Sequence, residues 1–386
     1  MGASRFCVIS GRGSGTCSSV ARAPRDRVQA EIRRLLAAGV TGGVFPGGAA
    51  AVSFVDAAGT VQVVSACAGA LARGEATVND RTAYDLASIT AAFVGTAALR
   101  MAARRVLDLD ATVESILPDV RGGVLGDATI RDLLWHRGGL APWGGLYLDV
   151  PHELGSPAAR RWVLSEAARR PGEARSARRE RSDLGYIVAG EAIARVAKSS
   201  LDEVVRSEVL APLGIEDEVL YPGALPAEKR AVFTRQAPPT ERCEWRGRLV
   251  RGDVHDENAA ALGGVAGHAG LFGTAQAVAL FGRAVLDSLL DRGSFLEKNA
   301  LQAALADPGD GSPLRFGWEL RGKACGRRMS ARSFGQLGLT GTSLFCDPER
   351  DVVVVLLTNR ICPSRANEKI DGFRPAFHDG ALAASG

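Results

Sequence analysis

Tyr84-Asp85-Leu86-Ala87-Ser88-Ile89-Thr90-Ala91 is the stretch on which the reading of this 386-residue chain turns. Residues 88–104 run on from it without a proline and with Gly95 as their only glycine, a pattern that predicts a helix with Ser88 in its first turn. The position one turn later shares the serine's face, and here it is Ala91. A methyl group accepts no proton, so a hydroxyl of very weak acidity stands there without a local base.

Further out lie Leu133-Leu134-Trp135-His136-Arg137-Gly138-Gly139-Leu140, Arg181-Ser182-Asp183-Leu184-Gly185-Tyr186 and Gly335-Gln336-Leu337-Gly338-Leu339-Thr340-Gly341-Thr342. Two more are His255-Asp256-Glu257-Asn258-Ala259, followed by Gly263 to Phe272, and Cys362-Pro363-Ser364-Arg365-Ala366-Asn367. Over residues 44–378 the chain resembles the serine β-lactamase and penicillin-binding protein superfamily, in its class C-like and esterase-like branch. That resemblance implies an α+β fold of the β-lactamase/transpeptidase type: an antiparallel sheet drawn from both termini, flanked by helices, with an all-helical lobe inserted between. The cleft is expected between the lobes.

The resemblance also assigns the positions where chemistry is missing. Ala91 stands where the family's Ser-x-x-Lys signature has lysine. Arg181 replaces the tyrosine of Tyr-x-Asn or Tyr-Ser-Asp, and a guanidinium cannot take up a proton. Gln336 replaces the first residue of Lys-Thr-Gly or His-Thr-Gly and carries no charge. Asp183 keeps a carboxylate, Gly338 still permits close approach, and the N–H groups of Ser88 and Leu339 are the expected oxyanion donors. The cation lost at Ala91 reappears at Arg181. We expect that guanidinium to fill the vacated space, pair with Asp183 and point donors at Ser88 and Gln336, which suits an anion or carboxylate.

Other candidates have plainer readings. His136 could serve as a base for Ser88, but packing or capping is preferred, and Tyr186 matches the family's Leu-Gly-Tyr packing residue. His255, Asp256 and Glu257 raise the question of a metal, yet their spacing is not that of a helical histidine pair. No metal or cofactor is expected. A positioned base is worth about 10²–10⁴-fold, so its loss cripples acylation. The expected function is a catalytically impaired or inactive homologue that binds a small acyl or carboxylate ligand. One alternative is an active serine esterase or amidase in which Ser88 uses a non-standard base; another is a non-catalytic regulatory partner of an active, homologous protein.

The remaining sequence sets the frame. Residues 1–24, rich in Gly, Ser and Arg, read as a flexible leader ahead of a single domain over 25–386, with an α/β lobe (25–106 and 274–386) and a helical lobe (107–273). Apolar periodicity predicts helices over 26–38, 158–168, 183–196, 275–290 and 373–384. Runs 42–55 and 60–66, split by Asp56-Ala57-Ala58-Gly59, predict a hairpin, and strands are expected over 314–320, 333–339, 342–347 and 351–358. With 46% hydrophobic and 23% charged residues and a net charge of +4, the chain can form a sizeable core and shows no basic stripe for nucleic acid. It has neither an h-region nor an apolar run of about 18 residues, so a cytoplasmic protein without membrane association is expected. Seven dispersed cysteines without a Cys-x-x-Cys pair argue against disulfide and metal frameworks.

Overall fold

The computed structural model describes residues 24–121, 123–172, 179–307 and 309–386. Most of the expected leader lies outside these residues; Pro24 is already the first residue of a helix, Pro24–Thr41. The strands in chain order are β1 (Gly47–Val55), β2 (Val61–Gly69), β3 (Tyr84–Asp85), β4 (Val219–Leu220), β5 (Pro239–Cys243), β6 (Arg248–Arg251) and β7 (Phe272–Gly273). They continue with β8 (Glu319–Leu320), β9 (Phe334–Leu337), β10 (Ser343–Asp347) and β11 (Val352–Thr358).

Six of them form one antiparallel sheet in the order β2-β1-β11-β10-β9-β8, so its halves come from opposite ends of the chain. β11 and β10 sit at its centre, and β1 pairs with β11 in a register that places Ala50 opposite Leu356 and Val52 opposite Val354. Side chains alternate across a strand, and here each face has its own core. Ala50, Val52, Val354 and Leu356 pack with Val28, Ile32 and Leu36 of the first helix and Phe377 of the last, Ile370–Ser385. Ala49, Ala51, Val353 and Val355 pack with Phe281 and Val285 of the helix Ala275–Leu289. Burial on both sides is why β11 reads as an unbroken apolar run.

The β1–β2 hairpin closes at the expected spacer: Gly59 has φ +77°, and Asp56 Oδ1 accepts the N–H groups of Ala58 and Thr60, each at 2.9 Å. The expected strand over 314–320 is reduced to Glu319–Leu320. Gly317, with φ +80°, turns the chain so that the Arg315 N–H reaches the Trp318 carbonyl at 2.7 Å.

Between the two halves of the sheet the chain is mainly helical, including Ile130–Leu134, Pro157–Arg169 and Asp183–Ala197. It also carries the β5–β6 hairpin and, with β3, the small sheet β3-β7-β4. Two-residue strands are too short to show a period of two. The helix that carries Ser88 begins as a 3₁₀ turn, Ala87–Ile89, and continues as Thr90–Ala103. It is buried on nearly every side, and Phe93 stacks on Phe281 with ring centroids 3.8 Å apart.

Candidate active site

Ser88 is presented by a strained turn. Asp85, buried at the end of β3, accepts the Ala87 N–H on Oδ1 at 2.9 Å and the His255 N–H on Oδ2 at 2.7 Å. Ala87 has φ +48°, a conformation that costs of order 1–3 kcal/mol for a side chain with a Cβ. Thr340 Oγ1 donates to the Asp85 carbonyl at 2.8 Å and Thr342 Oγ1 to that of Leu86 at 3.1 Å, locking the turn against the loop after β9. Gly338 makes the contact possible, because a Cβ there would lie 2.0 Å from Thr342 Oγ1 and 2.8 Å from the Leu86 oxygen.

Ser88 opens onto a cleft of about 420 Å³ that Asp183, His268, Leu339, Arg360 and Arg374 also line. Its hydroxyl makes no hydrogen bond among the described residues. Ala91 is buried beneath it at 6% exposure. Gln336, on β9, turns its amide to the Gly317 carbonyl at 3.1 Å and accepts the Arg181 guanidinium on Oε1. Arg181 is thus directed inward to Gln336 as expected, but the predicted pair with Asp183 does not form. Its carboxylate partner is Glu319 of β8, at 3.5 Å, a residue that neighbouring sequence could not reveal. The N–H groups of Ser88 and Leu339 make no backbone hydrogen bond among the described residues and remain available as donors to a cleft ligand.

Asp183 instead faces a histidine. Burial raises its pKa, and the charge of His268 pulls it back. His268 Nε2 lies 2.8 Å from Asp256 Oδ1, while its Nδ1 is buried without a partner. Burial works against charge on both groups of this pair, yet His268 holds Asp256 down at about 2, and Asp256 raises His268 above its ordinary value. His136 takes the packing role: Nδ1 accepts the Ser182 N–H at 3.0 Å, and burial lowers its pKa to about 3. Tyr186 is buried and donates to the Leu134 carbonyl at 2.8 Å.

The fold finds its counterpart in known proteins. The Beta-lactamase family model matches residues 32–371. The chain belongs to the beta-lactamase family. Among its relatives is the N-acetylmuramyl-L-alanine amidase of Bacillus subtilis, 28% identical over 322 residues, which cover 75% of this chain and 70% of that one. A putative D-alanyl-D-alanine carboxypeptidase of Salmonella agona is 29% identical over 222 residues, 53% of this chain and half the length of that relative. Among solved structures, EstCE1, a hydrolase with promiscuous acyltransferase activity, superposes with a TM-score of 0.71 at 18% identity, covering 93% of this chain and 99% of that one. A class C beta-lactamase superposes with a TM-score of 0.70 at 16% identity, covering 94% and 98%.

Within this beta-lactamase fold the segment that raised the metal question has a cation of its own. Donor atoms of Glu241, His255 and Glu257 lie within 4.8 Å of one another. The Arg365 guanidinium reaches Glu241 at 2.7 Å and Glu257 at 2.6 Å, and occupies the position a metal would need. Burial opposes the Glu241 charge, but hydrogen bonds from His255 and Arg365 bring its pKa to about 2. Reading the sequence missed His268, Arg360 and Arg374 as cleft residues. His268 sits in a quoted family segment, whereas the two arginines carry no motif signal.

Proposed function

We propose that this member of the beta-lactamase family is a non-covalent binding protein for a small acyl or carboxylate ligand, with acyl transfer at Ser88 suppressed. The observation that carries this reading is the partnering of the replaced motif positions. Arg181 and Gln336 bond to each other, Ala91 offers nothing, and the Ser88 hydroxyl has no acceptor among the described residues. An unactivated serine is a poor nucleophile. Incubation with a chromogenic ester and a fluorescent acyl-serine probe is expected to give neither a burst nor a labelled band. Burst labelling that disappears in Ser88→Ala would overturn the proposal.

One observation favours a second reading, an active esterase or amidase of the kind several relatives are named for. His268 lines the Ser88 cleft, is held by Asp256 and has a free Nδ1. A carboxylate-oriented imidazole beside a serine is the arrangement of a general-base pair. Against it, Asp256 favours the protonated imidazole, and no hydrogen bond links it to Ser88. Labelling abolished by both Ser88→Ala and His268→Asn would establish this alternative. Among the described residues no helix is long and apolar enough to cross a membrane. We further propose a cytoplasmic location, supported by Cys67, Cys243, Cys325, Cys346 and Cys362 all being unpaired. Recovery from the extracellular or periplasmic fraction would count against it.

A further inference from the structure

The net charge of +4 is not spread evenly along the chain. Residues 321–332 hold Arg321, Lys323, Arg327, Arg328 and Arg332 and no acid, a charge of +5, so the rest of the chain sums to −1. No acid stands anywhere from Leu320 to Cys346, although 43 of the 386 residues are Asp or Glu. An arginine-rich composition by itself scatters its charges among acids; here the whole positive excess sits in one loop.

That loop is the connection between β8 and β9, and the fold pins its backbone while leaving its cations outside. The Arg321 N–H bonds to the Ser333 carbonyl at 2.9 Å and closes the loop at its base. Cys325 and Met329 are buried in the core beside Phe345 and Phe377. Ser330 donates its N–H and its hydroxyl to Asp347 at 2.7 and 2.6 Å, and Asp379 Oδ1 accepts the N–H groups of Arg327 and Arg328 at 2.8 and 2.7 Å. All five cationic side chains are exposed, and none forms a salt bridge among the described residues. Elsewhere arginines pair freely, as Arg283 and Arg292 do with Asp287 and Asp351. The cations form one patch: Arg321 Nη2 donates to the Arg327 carbonyl at 3.3 Å, and Arg350 Nε to that of Arg328 at 2.6 Å. Nearby acids do not neutralise it, because Asp347 is fully buried, Asp379 serves backbone N–H groups, and the exposed Glu349 is balanced by Arg350 beside it.

We propose that the β8–β9 connection is a docking surface for an acidic segment of a partner protein, gripped by the guanidinium forks of Arg321, Arg327, Arg328 and Arg332. Such forks take two carboxylate oxygens at once, and arginine clusters are a recurring means of reading acidic motifs. A pinned backbone loses little freedom on binding. None of the exposed large hydrophobic side chains lies within 321–332, so the patch has nothing to insert into a bilayer or to stack on bases. Its cations cluster on one compact loop and do not line a groove, which fits a short peptide better than an extended phosphate backbone. The surface is separate from the Ser88 cleft, to whose lining it contributes no residue.

The test uses the full-length protein and a fluorescent peptide of about ten residues alternating Glu and Gly, with a Gln-Gly peptide as neutral control, in about 0.15 M salt. Fluorescence anisotropy should show binding of the Glu peptide alone, weakening as salt is raised. The triple reversal Arg327→Glu, Arg328→Glu, Arg332→Glu should weaken it at least about 30-fold and leave the urea midpoint unchanged, since these side chains are exposed. Reversing Arg73, Arg161 and Arg235, exposed arginines outside the loop, changes the net charge equally and should alter binding by less than about threefold. If the loop reversal does not fold, the triple glutamine variant takes its place and should still weaken binding. No binding of the Glu peptide, an equal loss in both triple variants, or tighter binding to duplex DNA or to phosphatidylglycerol vesicles than to the peptide would overturn the proposal.

Discussion

At the level of single residues, the replacements at Arg181 and Gln336 are bonded to each other, while Ala91 is buried and offers no polar group. A lysine placed at position 91 alone would gain no tyrosine or histidine relay partner. We therefore expect Ala91→Lys by itself to leave ester turnover at background. The triple change Ala91→Lys with Arg181→Tyr and Gln336→His should raise it by about 10²–10⁴-fold, the worth of a positioned base. Initial rates on a p-nitrophenyl ester decide this, and a flat triple variant would show that the cleft has drifted as well as its chemistry. These three positions were legible in the sequence because each lies inside a short local motif. Glu319 as the partner of Arg181 was not, since residues far apart in the chain become neighbours only through the sheet, and Arg360 and Arg374 carry no motif that marks them.

Among the elements, length and periodicity governed what could be read. The first helix, the β1–β2 hairpin and the buried β11 announce themselves through long regular patterns, whereas β3, β4 and β7 hold two residues each and have no pattern to detect. These short strands nevertheless position Ser88, with Asp85 of β3 paired to Phe272 of β7. The β9–β10 turn holds the serine turn from the other side, and Gly338 is its point of contact. Gly338→Ala should push the turn away from Ala87 and destabilise the protein by about 1–3 kcal/mol, the usual penalty of overpacking. Leu356→Ala, at the centre of the sheet, should cost about 2–5 kcal/mol without touching the cleft. Urea midpoints separate these effects, and a Gly338→Ala variant as stable as the parent would show that the close approach is not under compression.

For the whole molecule, two buried neutral imidazoles tie stability to pH from opposite halves of the fold. His136 lies in the helical segment; His378, on the last helix, donates its Nδ1–H to the Ala324 carbonyl at 3.1 Å and accepts the Ser343 hydroxyl of β10 on Nε2 at 3.0 Å. Burial lowers both to about 3, against an ordinary value of 6.5. Between those values the unfolded chain binds more protons than the folded one, so stability falls as pH falls, by up to about 1.4 kcal/mol per pH unit for each histidine. The raised pKa of His268 has the opposite sign: its contribution is full below 6.5 and is lost as pH rises through its folded value. Asp256 and Glu241, held at about 2, keep their contributions above the ordinary carboxylate range and lose them toward pH 2. The urea midpoint should therefore decline steadily from pH 6.5 to 3.5, a window in which the His268 contribution is already complete and constant. His136→Asn and His378→Gln should each lower stability at pH 7 while flattening that decline, because the replacements cannot be protonated. An undiminished slope in the double variant would place the acid sensitivity elsewhere than in these imidazoles.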